Sequence, residues 1–286
     1  MLKRTISVII TLILSLMFIY LVLSVLPGDS TTYMSGESVI NVEKQTESLI
    51  SFIKKALTLN LGTSAFLSIS VKDLILERLL PTVILSIMSL VIALTISLFF
   101  IYLDVIKGKK LLFEVFSSIT YSFPSFLISL IALLISSKAF SYFVVYDDEH
   151  KIFSLLIPSL CLGLVHAPFL MKNIRDLIIR EKVKPYVTFA YSKGLGNVKV
   201  FFYHILLNIL NVVIVLVDQS FISLIASSAA VEIIFSIPGI GNLIVQAIAR
   251  RDSLTIAGVL ILIILITSFF SIIEDILDEI NKRRTM

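Results

Sequence analysis

Six long apolar runs constrain this chain more than any other feature: Ile6 to Leu26, Thr82 to Leu103, Val115 to Ser137, Ile152 to Met171, Leu206 to Val231 and Leu254 to Ile273. Asp218 is the one formal charge inside them. A bilayer's hydrocarbon core is roughly 30 Å thick, and a helix rising 1.5 Å per residue needs about 20 apolar residues to cross it. Lipid offers no partner for backbone N–H and C=O groups, so runs of this length must satisfy their own as helices. Barrel strands alternate apolar and polar residues over shorter stretches. Hydrophobic residues make up 57% of the chain, more than a soluble domain carries. The sequence therefore predicts an all-α integral membrane protein, a polytopic bundle of about six transmembrane helices.

The first run follows Lys3 and Arg4. It is longer than the core of a secretory signal, and Leu26-Pro27-Gly28-Asp29 lacks the small-residue cleavage pattern, so it reads as a retained span. Residues 1–81 form an N-terminal span with a long external segment. Residues 82–286 hold the remaining five spans, with a cytoplasmic loop at 172–203.

Basic residues favour the cytoplasmic side of spans. With the N-terminus inside, Lys3, Arg4, Lys107, Lys109, Lys110, the seven basic residues from Lys172 to Lys199, and Lys282 to Arg284 all fall inside, fifteen of the 24 in the chain. Five of the other nine lie in the long first outer segment, which counts for little under this rule. Both termini are expected in the cytoplasm.

That outer segment, Gly28 to Arg78, is too long for a simple connection. Within it Ile40, Val42, Leu49, Ile50, Ile53 and Leu57 approximate a helical stripe among Glu43, Lys44, Glu47, Lys54 and Lys55. Two readings fit: an amphipathic helix on the outer membrane face, or a docking surface for an external partner.

The loop after the fourth run has a clear local grammar. Pro185 suits the first turn of a helix, where its missing N–H is harmless, and Gly194 and Gly196 supply permissive backbone at the end. A short helix over about Tyr186 to Lys193 is expected, then a turn and a second helix leading into the fifth span. Tyr186, Phe189, Ala190 and Lys193 recur at three- and four-residue spacing on one side. On composition alone, an amphipathic connector at the headgroups would look the same.

The loop resembles the cytoplasmic loop of binding-protein-dependent ABC importer permeases, whose pattern reads Glu-Ala-Ala, three residues, Gly, nine residues, Ile-x-Leu-Pro. Aligned on Gly194, only Ala190, Gly194 and Leu206 match that general pattern. The variant Tyr-Val-x-x-Ala-x-x-Lys-Gly-Leu, here Tyr186, Val187, Ala190, Lys193, Gly194 and Leu195, followed by His204-x-Leu206-x-Asn208, resembles the dipeptide, oligopeptide and nickel branch. Val231-Glu232-Ile233-Ile234-Phe235-Ser236-Ile237-Pro238-Gly239-Ile240-Gly241-Asn242-Leu243 resembles the same branch's Val-Glu-x-x-Phe-x-x-Pro-Gly-Ile-Gly-x-Leu signature. Fainter echoes stand in family order at Leu26 to Asp29, Asn60 to Ser64 and Glu77 to Thr82, with Arg251-Asp252 following the second motif.

The resemblance implies the first-permease type of subunit, in a bacterial cytoplasmic membrane. It implies a homologous second permease, two ABC ATPase subunits and an extracytoplasmic solute-binding protein as partners, with membrane lipid around them. Peptides, nickel or metal chelates would be the cargo. Tyr186, Phe189, Ala190, Tyr191, Lys193, Gly194 and Leu195 would couple to the ATPase, with Phe189 and Tyr191 as candidate anchors and Ala190 allowing close approach. Pro238, Gly239 and Gly241 would form an irregular outer turn packed against protein rather than a plain surface turn. Glu232 would cap the end of the fifth span or be solvated. Asp218 is a candidate translocation-pathway residue, since a carboxylate in a span faces protein or a watery path; the alternative is a structural hydrogen bond involving Gln219 or Asn211.

Other chemistry lacks its residues. No Gly-x4-Gly-Lys-Ser/Thr loop is present, so no nucleotide is expected on this chain, and ATP and magnesium would belong to the partner ATPases. Gly194-Leu195-Gly196-Asn197 does not complete a dinucleotide fingerprint. His150, His166, His204 and the single cysteine, Cys161, do not form a recognisable metal site. A formal charge of +4 fits membrane topology and calls for no nucleic acid. An ion-coupled secondary transporter would show repeated halves and mid-membrane ion ligands, and a membrane-embedded hydrolase or transferase clustered catalytic groups. Neither pattern stands out. The orientation is checked by cysteine labelling: Gln45→Cys and Asp148→Cys react with an impermeant reagent in sealed cells, and Ser192→Cys only after permeabilisation. Labelling of Ser192→Cys in sealed cells reverses the topology.

Overall fold

The structure, a computed structural model, describes residues 2–25, 49–58, 60–64, 67–139, 146, 147 and 149–285. Side chains are described for 10–21, 52–56, 58, 60–64, 67–138, 146, 147 and 149–273. The echo at Leu26 to Asp29, the stripe positions Ile40 and Val42, and the labelling sites Gln45 and Asp148 lie outside the described residues. Among those described, the chain is helical: α1 (Leu2–Val25), α2 (Leu49–Thr58), α3 (Val71–Val105), α4 (Lys110–Ser122), α5 (Ser125–Ala139), the single turn α6 (Lys151–Ser154), α7 (Leu156–Lys182), α8 (Pro185–Ser192), α9 (Asn197–Ile234), α10 (Ile240–Ala249) and α11 (Ser253–Thr285).

Among the described residues, four helices are long and apolar enough to cross a membrane: α3, α7, α9 and the Ser253–Ile273 part of α11. The third run is not one straight span. It divides into α4 and α5, bent by 94° at the break. Phe123 is extended there, with φ −102° and ψ 124°, because the ring of Pro124 disfavours a helical residue before it. Pro124 also has no N–H to carry the ladder onward. Taken as a single span, the pair brings the number to five. In α1, the described apolar stretch Ile10–Leu21 is shorter.

Two compact units divide the chain, residues 83–237 and residues 1–82 with 238–286. In the first, α7 packs against α9, α5 and α4. Because lipid tails are as apolar as leucine, such helices associate through close fit and interhelical hydrogen bonds. Ser97 shows the second device, its hydroxyl lying 2.6 Å from the Ala93 carbonyl and 2.9 Å from that of Ala167 on α7. Gly163 shows the first: a Cβ there would stand 2.8 Å from the Ser89 carbonyl oxygen and 2.9 Å from Ile92 Cγ2. One buried cluster gathers Leu85, Leu155, Leu162, Leu224, Val231 and Phe235. Another gathers Ile101, Phe113, Leu170, Ile174 and Ile178 with Val187 and Ala190 of α8.

In the second unit, α11 packs against α1 and α10 around Leu16, Ile19, Val71, Leu74, Leu243 and Ala257. The helix α2 lies on α1, with Phe52 and Ala56 buried and Tyr20 and Phe52 ring centroids 5.6 Å apart. Phe52 and Ala56 thus enter the chain's own core beside α1. Lys54 and Lys55 remain exposed on the other face.

Gly163→Ala should destabilise the folded protein by roughly 1–3 kcal/mol, because the opposing atom is backbone and cannot rotate away. A lowered midpoint in thermal unfolding of the detergent-solubilised protein checks this; an unchanged midpoint shows the α3–α7 contact to be looser than described.

Candidate functional site

The loop between α7 and α9 is a compact helical elbow. Lys184 is extended, with φ −72° and ψ 145°, as a residue before proline should be, and Pro185 starts α8. The far end closes in a Schellman motif. Gly194 N–H donates to the Tyr191 carbonyl at 2.9 Å, and Leu195 N–H to the Ala190 carbonyl at 3.4 Å, around a left-handed Gly194 with φ +77°. Leu195 then packs on the cluster beneath, the apolar contact that accompanies this cap. Gly196 has φ −69°, so of the two glycines only Gly194 uses its freedom. The chain re-enters helix at Asn197, and Val200–Leu206 is wound as π-helix at the start of α9.

The expected single face of Tyr186, Phe189, Ala190 and Lys193 divides in two. Val187 is fully buried and Ala190 is 4% exposed, both in the chain's own core. Ala190 therefore allows close approach of α8 to its own bundle, a correction to its expected place against a partner. Phe189 is 61% exposed, with the Lys193 ammonium 4.5 Å from its ring centroid, and Tyr191 is exposed as well. The outward surface is aromatic and cationic; the inward one is aliphatic.

Polar bonds tie the elbow down. Tyr186 Oη donates to Glu181 Oε1 at 2.7 Å, and Lys184 Nζ pairs with Glu181 Oε2 at 2.7 Å. Burial, reinforced by the Glu181 carboxylate, pushes the Tyr186 hydroxyl up to about 12, so it stays a donor at neutral pH. Nearby, Arg175 pairs with Asp104 and lies over the Phe113 ring at 5.1 Å, and Lys182 Nζ reaches the Val105 carbonyl at 3.3 Å. Glu181 escaped the sequence reading, since a lone glutamate in a basic stretch looks like a solvated charge.

Asp218 sits on α9, and its Oδ2 is buried without a hydrogen-bond partner among the described residues. Gln219 is exposed and Asn211 half-buried on the same helix. The histidines are dispersed: His150 contacts Asp147 at 3.0 Å, His166 contacts Ser227 at 2.9 Å, and His204 lies in the π segment.

The second motif forms an irregular, packed turn. Ser236 is left-handed with φ +55°, Pro238 is half-buried, and Gly239 and Gly241 are buried. Glu232 is fully buried rather than solvated, accepting from Ser228 Oγ at 2.8 Å, while its carbonyl accepts from Ile237 N–H at 2.8 Å. Gly239 is extended and precedes α10, whose first N–H, that of Ile240, donates to Thr82 Oγ1 at 2.8 Å. Close by in sequence, Asp252 caps α11, accepting from Thr255 Oγ1 at 2.8 Å and from Ser64 Oγ at 2.5 Å. Echoes more than 150 residues apart thus bond to each other. The spacing Asp252-x-x-Thr255 before an apolar run was the available signal for the cap.

Residues 109–286 match the family described as binding-protein-dependent transport system inner membrane component. The chain is 26% identical to a protein of Sinorhizobium fredii named as a peptide ABC transporter permease, over 92% of this chain and 91% of that one. It is 26% identical to a peptide transport system permease protein of Brucella suis, over 99% and 97% of the two chains. A glutathione transport system permease protein of Escherichia coli is 25% identical, over 96% and 94%.

The left-handed turn supplies a test of the elbow. Nothing lies within 4 Å of a Cβ at either glycine, so any penalty is backbone strain alone. Gly194→Ala should destabilise the loop by about 1–2 kcal/mol and Gly196→Ala by a few tenths at most, read as faster proteolysis between α8 and α9. Equal proteolysis of the two variants contradicts the Schellman geometry.

Proposed function

Because the chain belongs to the binding-protein-dependent transport system inner membrane component family, we propose that it is the membrane permease subunit of an ATP-driven peptide importer, with α8 as the element that receives the ATPase. A multi-pass inner-membrane permease is a transport subunit and not itself an enzyme. Peptide-class cargo is supported by the names of its relatives, which are a peptide permease and a glutathione permease. A second permease completes the pathway, two ATPase subunits bind and hydrolyse ATP with magnesium, and an external binding protein delivers the solute. Both termini lie in the cytoplasm.

One observation carries the coupling role: a short helix, started by Pro185, closed by the Schellman motif at Gly194 and cored into the bundle by Val187 and Ala190, turns Phe189, Tyr191 and Lys193 outward. Exposed aromatic side chains on a held helix are what a groove on a partner can grip. ATP binding draws the ATPases together, α8 moves with them, and the spans exchange inward-facing for outward-facing packing. The switch requires contacts that differ between the two states. Asp218 lines the solute path in this reading, where it would meet a cationic group; its buried Oδ2, without a hydrogen-bond partner among the described residues, supports that role.

The test is uptake by a strain deleted for this chain, comparing labelled di- and tripeptides, glutathione and nickel. Restored peptide uptake on complementation is expected; restoration of nickel uptake alone overturns the cargo. In the same assay Gly194→Val should abolish solute-stimulated ATPase activity and uptake while the protein remains inserted, and wild-type values for both remove the turn from coupling. Asp218→Asn should reorder the solutes, and an unchanged order takes Asp218 off the path.

A further inference from the structure

Glu181 occupies the last turn of α7 and is only 8% exposed. A carboxylate withdrawn from water is unfavourable unless its oxygens are bonded, and a leucine at that depth would satisfy the same space more simply. Both oxygens are bonded here, one to Tyr186 Oη and the other to Lys184 Nζ. The Tyr186 hydroxyl also lies 3.5 Å from the His204 carbonyl, in the π-helical stretch. Asn208 Nδ2 donates to that carbonyl at 2.8 Å. One hydroxyl thus stands where α7, α8 and the start of α9 meet.

The apolar underside of α8 holds it down but does not aim it. Contacts through Val187 and Ala190 are non-directional and tolerate sliding or rotation. A hydrogen bond to an ionised carboxylate is directional and about twice as strong as a neutral one. We propose that Glu181 and Tyr186 form a latch which makes α8 a rigid extension of α7 and of the π-helical start of α9, so that displacement of α8 is carried into both spans. The proposal rests on the coupling role of α8 stated above. Glu181 is a positioning residue: it is buried and acts through Tyr186. The far side of the latch falls in the π-helical stretch Val200–Leu206, a winding that is rare and recurs at functional sites.

The experiment uses the complete transporter reconstituted in liposomes and reads moles of peptide imported per mole of ATP hydrolysed. Tyr186→Phe keeps the ring and removes one oxygen atom; Glu181→Leu removes the acceptor. Each should lower the ratio on the order of tenfold, the scale of one charge-assisted hydrogen bond, and the double variant should fall no further than either single one. Glu181→Gln, whose amide oxygen still accepts from Tyr186 without the charge, should lose only about threefold, an intermediate value that general destabilisation would not give. A wild-type ratio in Tyr186→Phe, or losses that multiply in the double variant, overturns the latch. Should Glu181→Leu fail to insert, Tyr186→Phe decides alone. The docking role is read separately by co-purification of the ATPase with Phe189→Ala. Retained ATPase there sinks docking through that face, whereas a fallen ratio in Tyr186→Phe beside retained ATPase in Glu181→Leu upholds the latch.

Discussion

Every backbone N–H and C=O placed in hydrocarbon must find its partner within the protein, and the rest of this structure follows from that constraint. It makes the long apolar runs helical and makes each break in them a place where some other group must supply a bond. The hydroxyls of Ser89, Thr95 and Ser97 return their protons to carbonyls four residues back, which lets polar side chains ride within spans. Ser97 also faces α7, so the same proton serves local structure and helix pairing.

Breaks in the helices are correspondingly well furnished. At Pro124 the chain bends through 94° and α5 restarts on the Pro124 carbonyl, which accepts from Leu127 and Ile128 N–H. At the head of α10 a threonine hydroxyl from α3 meets the first amide, and at the head of α11 the Asp252 carboxylate gathers Thr255 and Ser64. These are ordinary N-terminal capping solutions, except that two of the partners come from far away in sequence. The family motifs around Asn60 to Ser64, Glu77 to Thr82 and Pro238 to Asp252 are therefore understandable as pairs of contacts as well as separate turns.

The elbow combines a held helix with a change of winding. The helix α8 is bounded by proline and by a Schellman cap, and its underside belongs to the bundle core. Immediately after it, seven residues wind as π-helix. The held helix and the change of winding thus lie next to each other, and π segments of this kind recur at functional sites.

Sequence alone determined the all-helical membrane class, the start of α8 at Pro185 and its turn at Gly194. Each follows from local rules: bilayer thickness, the missing N–H of proline, and the freedom of glycine at positive φ. The family resemblance was legible for the same reason, being carried by contiguous strings. Tertiary structure decided which side of α8 faces its own bundle, because Ala190 and Phe189 are adjacent in sequence and only packing against Ile174, Ile178 and Val200 separates their roles. It decided that Glu181 and Glu232 are buried and bonded, since a carboxylate's burial depends on donors brought by other turns of chain. It joined Ser64 to Asp252 and Thr82 to Ile240 across 188 and 158 residues, distances at which no local pattern in a single sequence records a contact.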